Sequence, residues 1–255
     1  MDAPSSSDAR PVALITGSGA PRIGNCVART LAAAGYRLVL HAHRSRDGAI
    51  ATARELEEHG AATAIVSCDL TDEGKLVAMV REANDAFGRI DALVNCAAVW
   101  LPKPLEQITA DDVRRHFEVN TLATFLCCQH VGLQMIAQDT GGAIVNLGDW
   151  AIVRPYLNYA AYFPSKGAIP TLTRDLAVEL ASRNPRVRVN AVLPGPAMLP
   201  ENLPEEERKA AIEATLVKRE GSPQNVADAV LFLLRNDFVT GVCLPVDGGR
   251  SIYAP

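Results

Sequence analysis

The chain has 255 residues, of which 48% are hydrophobic and 21% charged, a balance typical of a globular protein rather than a disordered one. Its formal net charge of −4 gives no basis for binding nucleic acid or an anionic membrane through charge, and no apolar run reaches the roughly 18 residues of a membrane helix. We expect a polar, disordered lead-in over residues 1–10, followed by a single domain over residues 11–255.

Apolar runs of strand length alternate with stretches of helix length along the whole chain. Strands are predicted at residues 12–15, 37–41, 64–67, 92–95, 143–147, 187–192 and 242–246. Helices are predicted from the first glycine-rich turn through about residue 34, and then over residues 47–59, 72–87, 110–137, 159–181, 205–216 and 223–234. Because the strand runs are continuously apolar, both faces of the sheet should be buried. This pattern predicts an α/β protein, a single-domain doubly wound Rossmann fold whose seven-stranded parallel sheet is flanked by helices.

The six cysteines are scattered, and none stands in a CxxC pair. Free thiols in mostly apolar surroundings are typical of a reducing compartment, so we expect a cytoplasmic protein. The five histidines form no HxxxH or HExxH pattern, and we therefore expect no metal site.

The turn after the first strand is rich in glycine. It reads from Thr16 to Gly24 and includes Gly17, Gly19, Arg22 and Ile23. Glycines let the backbone approach a pyrophosphate, and the start of the following helix supplies free N–H groups. Such a turn can also be merely tight, but its place after the first strand of a βα series favours a dinucleotide site.

The end of the second strand bears on the choice between NAD and NADP. NAD sites usually place an acidic residue there, whereas this chain has His43, Arg44 and Ser45 and no acid before Asp47. Arg44 and Ser45, with His43, can bind a 2′-phosphate through charge-assisted hydrogen bonds, and the alternative is a solvated basic turn. We therefore predict NADP(H) as the cofactor and a small molecule as the substrate.

Tyr162 and Lys166 stand four residues apart on a predicted helix and so share one face. A tyrosine with its ordinary pKa of about 10 is a poor acid–base group at neutral pH. A neighbouring ammonium is expected to lower that pKa and to hold the ribose of a cofactor. Alone, the same spacing is often a chance surface pair.

Taken in chain order, these motifs resemble those of the short-chain dehydrogenase/reductase family. The resemblance spans residues 12–249 and includes Asp69-Leu70 after the third strand, Asn95-Cys96-Ala97-Ala98 after the fourth, Asn120 in the long helix, Tyr162 with Lys166, and Pro194-Gly195. It implies cofactor contacts from Asp69 (to adenine), Leu70, Asn95, Ala97, Lys166, Pro194 and Gly195, and a proton-relay water held by Asn120. It also implies a homotetramer assembled through the helix after Ala110 and the helix of Tyr162.

Departures from the family pattern resemble its pteridine reductase branch. Arg22 replaces the middle glycine of the turn, after one extra residue, and Asp149 stands thirteen residues before Tyr162, where the family has serine. Trp100, ahead of Pro102-Lys103-Pro104-Leu105, takes the position of a phenylalanine that stacks on the pterin. The resemblance therefore implies substrate contacts from Trp100, Asp149 and Tyr162.

A carboxylate at position 149 would repel the alkoxide that forms during carbonyl reduction, whereas it can serve protonation of a ring nitrogen. The leading hypothesis is NADPH-dependent reduction of a pterin or dihydrofolate-like C=N bond, with Tyr162, Lys166 and Asp149 in proton transfer. One alternative is a carbonyl reductase or alcohol dehydrogenase of the same family, such as a 3-oxoacyl-carrier-protein reductase, with Asp149 protonated or displaced. The third hypothesis is an inactive NADPH-binding regulatory protein. For Asp149 itself, the alternative to a catalytic role is that it only caps a helix or turn.

Overall fold

The parallel sheet of this chain, seen in a computed structural model that describes residues 9–253, has the order β3-β2-β1-β4-β5-β6-β7. Its strands are β1 (Val12–Thr16), β2 (Arg37–Ala42), β3 (Thr63–Ser67), β4 (Ala92–Asn95), β5 (Gly142–Leu147), β6 (Val187–Pro194) and β7 (Cys243–Val246). The predicted fold class is confirmed. Residues 1–8 of the predicted lead-in lie outside the described residues.

Helices cover both faces of the sheet. They are α1 (Ile23–Ala33), α2 (Arg46–Glu58), α3 (Glu73–Phe87), α4 (Ala110–Phe117), α5 (Ala123–Ala137), α6 (Phe163–Ala181), α7 (Glu205–Glu213) and α8 (Pro223–Arg235). One apolar cluster joins Ile15 and Leu38 to α1, α2 and α8, and the other joins Leu14 and Val39 to α3, α5 and α6. Neighbouring strand residues thus enter opposite cores, which explains why the strand runs are continuously apolar.

The long helix predicted over residues 110–137 is interrupted. A π-helical turn, Glu118–Leu122, separates α4 from α5 and contains the buried Asn120. Single π turns inside α-helices often coincide with functional positions. The prediction of one regular helix was therefore wrong at its centre, where the amide of Asn120 bonds to another loop.

Two predicted helix boundaries were also wrong. α6 begins at Phe163 rather than residue 159, because Pro164 suits a first turn but would remove a hydrogen bond from a helix already under way. α7 ends at Glu213 rather than residue 216, because the chain leaves the helix and Leu216 donates its N–H to the carbonyl of Gly248, 2.8 Å away.

The carboxyl ends of the central strands meet at one edge of the sheet. Thr16, Asn95, Leu147 and Pro194 end β1, β4, β5 and β6 there. The strand order reverses between β1 and β4, and in open α/β sheets this edge is where ligands bind. Within residues 9–253, no helix combines the length and the apolar character needed to cross a bilayer.

Candidate active site

The turn between β1 and α1 is shaped by close backbone contacts. A Cβ on Gly17, whose φ is +66°, would lie 2.8 Å from the Cα of Ala97. A Cβ on Gly24 would lie 2.8 Å from the carbonyl oxygen of Gly17, so α1 begins directly against the turn. Arg22, the residue before α1, forms no side-chain capping bond, and Ile23 and Gly24 have no partner within the helix for their N–H groups. The turn therefore fits a pyrophosphate.

A buried histidine fixes this turn to the neighbouring strand. His41 Nδ1 accepts a hydrogen bond from the N–H of Gly17 at 3.2 Å, and its Nε2 lies 3.1 Å from the carbonyl oxygen of Cys68. Burial lowers the pKa of His41 to about 4, so the imidazole is neutral with its proton on Nε2. His41 was not predicted as a site residue; the one signal in the sequence was a polar residue inside an otherwise apolar strand.

Basic residues and one acid stand beside the turn, after β2 and β3. His43, Arg44 and Ser45 connect β2 to α2, and His43 Nε2 lies 3.7 Å from Asp69 Oδ2 at the end of β3. Hydrogen bonds from the backbone and hydroxyl of Thr71 hold the pKa of Asp69 below its usual value. Arg44 is exposed and forms no ion pair with any described residue, so its guanidinium can meet a phosphate.

Two further positions complete this part of the site. A Cβ on Gly19 would lie 2.5 Å from the carbonyl oxygen of Ser45, so the glycine lets the two turns touch. Leu70, the residue after Asp69, is buried and only 7% exposed. The exposed Arg22 has no ion-pair partner within the described chain either, so two guanidinium groups flank the turn.

The segment after β4 is tied to the turn and to the core. The N–H groups of Cys96 and Ala97 donate to Thr16 Oγ1 at 3.0 and 3.2 Å. Asn95 Nδ2 donates to Asn146 Oδ1 at 2.9 Å, which joins β4 to β5 beneath the site. Asn95 therefore serves the core, while Cys96 lines the cavity described below.

Asn120 connects three parts of the site. Its Oδ1 accepts from the N–H of Val99 at 2.8 Å, and its Nδ2 donates to the carbonyl of Val99 and to Ser165 Oγ, both at 3.0 Å. The side chain is fully buried. It thus holds the segment after β4 and the start of α6 in place, whereas the predicted water relay stays a prediction.

Tyr162 and Asp149 form the central contact of the site. The Tyr162 hydroxyl donates to Asp149 Oδ2 at 2.8 Å, and Asp149 Oδ1 accepts from the N–H of Ala151 at 2.8 Å. Asp149 is therefore both a cap of the short turn after β5 and a partner of the tyrosine. Burial raises the pKa of Asp149 above its usual range. Burial and the negative charge of Asp149 also raise the pKa of Tyr162 well above 10.

Lys166 lies one helical turn beyond Tyr162 and is buried. Its Nζ donates to the carbonyl of Leu147 at 2.6 Å, and burial lowers its pKa to about 8. The expectation that this ammonium lowers the pKa of Tyr162 was wrong for the structure as it stands. The reason is that burial raises the pKa of the tyrosine and its hydroxyl bonds to the Asp149 carboxylate, while the lysine bonds to a strand carbonyl.

A cavity of about 760 Å³ opens at this edge of the sheet. Asp149, Tyr162 and Lys166 lie in its wall, and residues 194–200, which begin with Pro194 and Gly195, form the opposite side. A Cβ on Gly195 would lie 2.4 Å from the Cα of Asp247, so this segment packs tightly on the turn after β7.

Aromatic side chains form one wall of the cavity. Trp100, 39% exposed, stacks on Tyr159 with ring centroids 4.8 Å apart, and Tyr156 packs edge-on against Tyr159 at 5.1 Å. Trp100 was predicted to contact the substrate, whereas Tyr156, Tyr159 and Arg250, which also line the cavity, were not predicted as site residues. A signal was present, since Tyr156, Tyr159 and Tyr162 recur every third residue.

The doubly wound sheet brings two features to one edge: a glycine turn open to a pyrophosphate and a buried Tyr–Lys pair. Together they define an oxidoreductase with a nicotinamide cofactor. Residues 19–251 match the sequence model of a protein family that is described as enoyl-(acyl carrier protein) reductase. The chain belongs to the short-chain dehydrogenase/reductase family.

Several curated relatives match nearly the full length of the chain. A 3beta-hydroxysteroid dehydrogenase 1 of Eggerthella lenta is 31% identical over 246 residues, 94% of this chain and 93% of its own. A 7alpha-hydroxysteroid dehydrogenase of Escherichia coli is 35% identical over 244 residues, 93% and 92% of the two chains. A 3-oxoacyl-[acyl-carrier-protein] reductase of Rattus norvegicus is 34% identical over 238 residues, 92% and 96%.

Proposed function

We propose that this protein interconverts a carbonyl compound and the corresponding alcohol with NADP(H). The observation that carries the proposal is the Tyr162 hydroxyl, which lies in the wall of a largely apolar cavity together with Lys166. The relatives described above carry the names of hydroxysteroid dehydrogenases and of a 3-oxoacyl reductase. They support this alternative better than the pterin reductase that the sequence analysis favoured.

The acid–base chemistry follows from the buried side chains. When bound, the dinucleotide supplies the hydride that adds to the carbonyl carbon. Tyr162, kept protonated at neutral pH by its raised pKa, donates its proton to the carbonyl oxygen. The positive charge of Lys166, in the same cavity wall, acts on Asp149, the hydrogen-bond partner of Tyr162.

Asp149 replaces the neutral hydroxyl donor that carbonyl chemistry favours. As a carboxylate it would repel the developing alkoxide, but burial raises its pKa and so favours the neutral acid. A protonated Asp149 can donate to the same oxygen as Tyr162. We therefore assign Asp149, in its neutral form, a hydrogen bond to the carbonyl oxygen, while Tyr162 transfers the one proton that the reduction needs.

The choice of NADP(H) rests on charge at the end of β2. Arg44 and Ser45 stand where an acidic residue would bind an unphosphorylated ribose, and Arg22 stands exposed on the adjoining turn. Two unpaired guanidinium groups favour a 2′-phosphate through charge-assisted, bidentate contacts.

The substitution Asp149→Ser tests the substrate class. We would measure kcat/KM for a 3-oxoacyl thioester, an oxo-steroid and a dihydropterin, with NADPH, in the parent and in the variant. A carbonyl reductase should turn over at least one of the two carbonyl substrates and no dihydropterin, and Asp149→Ser should keep or raise the carbonyl rate. A parent that reduces only the dihydropterin would contradict the proposal.

One observation keeps pterin reduction as a second candidate. The Asp149 carboxyl and the partly exposed Trp100 ring lie in the same cavity, a combination that can bind the polar edge and the face of a flat heterocycle. In that case Asp149→Ser should impair dihydropterin reduction in the assay above. The homotetramer stays a prediction, although Phe117, Leu122, Leu133 and Val178, which lie on or beside the helices it would use, are exposed in the single chain.

A further inference from the structure

The turn after β7 is a rigid support for one cavity residue. Gly248 and Gly249 have φ values of +65° and +82°, in the left-handed region. The buried carboxylate of Asp247 accepts from the N–H groups of Gly249 at 2.9 Å and Ser251 at 2.7 Å. These contacts fix the backbone on both sides of Arg250, whose side chain lines the cavity.

The guanidinium of Arg250 lies half-buried, with no acidic partner among the residues that the structure describes. It stacks over the ring of Trp150 at 4.7 Å and donates from Nη1 to the carbonyl of Ala211 on α7. Within residues 9–253 it forms no ion pair. Burial, with the nearby positive charge of Arg154, lowers the pKa of Arg250 below its usual value.

The acidic groups of the cavity do not neutralise this charge. Asp149 is engaged by Tyr162 and by the backbone of Ala151. Glu207 on α7 also lines the cavity, but it forms no ion pair with Arg250 or with any other described residue. A guanidinium that is partly removed from water gains from an anionic partner, and the Nε and Nη2 groups of Arg250 have no acceptor among the described residues.

We propose that Arg250 binds a carboxylate on the substrate, at a distance from the carbon that reacts at Tyr162. Carboxylates pair with guanidinium groups in a bidentate geometry, which the free edge of Arg250 allows. The cavity wall also contains Trp100, Tyr156 and Leu199, which suit a hydrophobic ring system. The substrate class is therefore an amphipathic oxo acid, or the matching hydroxy acid. This inference rests on the proposed function.

Paired probes test this assignment. We would use an oxo-steroid with a side-chain carboxylate and an aryl oxo acid, 4-oxo-4-phenylbutanoate, each against its own methyl ester. Binding to the complex of the protein with NADP⁺ is measured by calorimetry, and kcat/KM is measured with NADPH. The parent should prefer at least one acid over its ester by about ten- to a hundredfold, the scale of a charge-assisted contact.

Variants of Arg250 separate recognition from support of α7. Arg250→Gln should lower the affinity for the acid to that for the ester and leave the ester unchanged, while Arg250→Lys should keep part of the preference as a point charge. Arg174→Gln makes the same change of charge at an exposed position of α6, and it should change neither the affinity for the acid nor that for the ester. Equal losses for acid and ester would mean that Arg250 only holds α7, and would overturn the proposal.

The two proposals fail in different ways. Selective binding of an acid without reduction of any carbonyl would refute the proposed function and keep the role of Arg250. Equal affinity of the parent for acid and ester in both pairs, including failure to bind either, would refute the role of Arg250. Reduction of the neutral esters would then still support the carbonyl chemistry.

Discussion

The cofactor end of the site is formed mainly by backbone, whereas the substrate end is formed mainly by side chains. At the cofactor end, closely packed glycine backbone forms the turn, and the charged groups beside it, Arg22 and Arg44, are exposed. At the substrate end, Tyr162 and Lys166 are buried and Asp149 is partly buried, and these side chains bond to one another or to a strand carbonyl. The charged groups of the first end are therefore solvated, whereas those of the second are largely desolvated.

This difference sets the strength of electrostatic effects at each end. An exposed guanidinium is screened by solvent and salt, so its contribution to binding is modest and depends on ionic strength. Charges at the buried end act in a medium of lower polarity, which is why the pKa values of Asp149, Tyr162 and Lys166 are all shifted. We therefore expect the largest effects of substitution at the substrate end.

The largest expected effect is that of Tyr162→Phe. The change keeps the ring among its aromatic neighbours but removes the hydroxyl that bonds to Asp149, so kcat should fall about a hundredfold or more. Cofactor affinity should be nearly unchanged, because the hydroxyl lies at the other end of the site. Steady-state kinetics and fluorescence titration with NADPH measure the two quantities.

A matched control for this change is Tyr159→Phe. Tyr159 lies in the same cavity wall and stacks on Trp100, but it forms no hydrogen bond through its hydroxyl with another described residue. Its variant should keep kcat within a few-fold of the parent. Near-native turnover by Tyr162→Phe would show that the substrate end does not act through this hydroxyl.

A smaller effect is expected at the cofactor end from Arg44→Ala. If the guanidinium binds the 2′-phosphate, NADPH affinity should fall about ten- to a hundredfold, with little change for NADH. Arg46→Ala, which removes an exposed guanidinium two residues away, is the control and should change neither. Raising the salt concentration should reduce the effect of Arg44→Ala, as expected of an exposed charge. Equal losses for both cofactors would contradict the NADP(H) preference.

The two ends also differ in how well the sequence predicts them. The glycine turn and the basic residues after β2 are local signals, because each is read within nine residues of contiguous chain and the fold places them at one edge. The seven strands followed from continuous apolar runs for the same reason. His41 was missed because its bond to Gly17 depends on strand pairing that no short window of sequence contains.

The substrate end depends on contacts between distant segments. The position of Asp149 relative to Tyr162 followed from the spacing in the family. The spacing did not predict that the burial of Tyr162 and the charge of Asp149 would raise the pKa of the tyrosine. Arg250 reaches the cavity from the end of the chain, more than eighty residues after Tyr162, through a turn fixed by Asp247. Such positions follow from tertiary packing rather than from local pattern. The cytoplasmic location stays a prediction.

Lys166 lies at the substrate end, and its buried charge lowers the stability of the fold. Its pKa is about 8 in the folded protein and 10.5 ordinarily, so the unfolded chain binds this proton more tightly. The fold is therefore destabilised by about 3 kcal/mol below pH 8. This penalty decreases as the pH rises from about 8 and is absent above about 10.5.

The smallest expected effect is consequently a gain in stability on Lys166→Met. At pH 7 the variant escapes the penalty but loses the hydrogen bond to the carbonyl of Leu147, which offsets about 1–1.5 kcal/mol. We expect a net stabilisation of about 1–2 kcal/mol together with loss of activity, as when a strained functional group is removed. Urea denaturation at pH 7 and pH 10 measures the free energy of unfolding of parent and variant, and the gain in stability should be smaller at pH 10. Lys209→Met, at an exposed position of α7, should stay within about 0.5 kcal/mol of the parent. A Lys166→Met variant less stable than the parent at pH 7 would show that its hydrogen bond outweighs the cost of burying the charge.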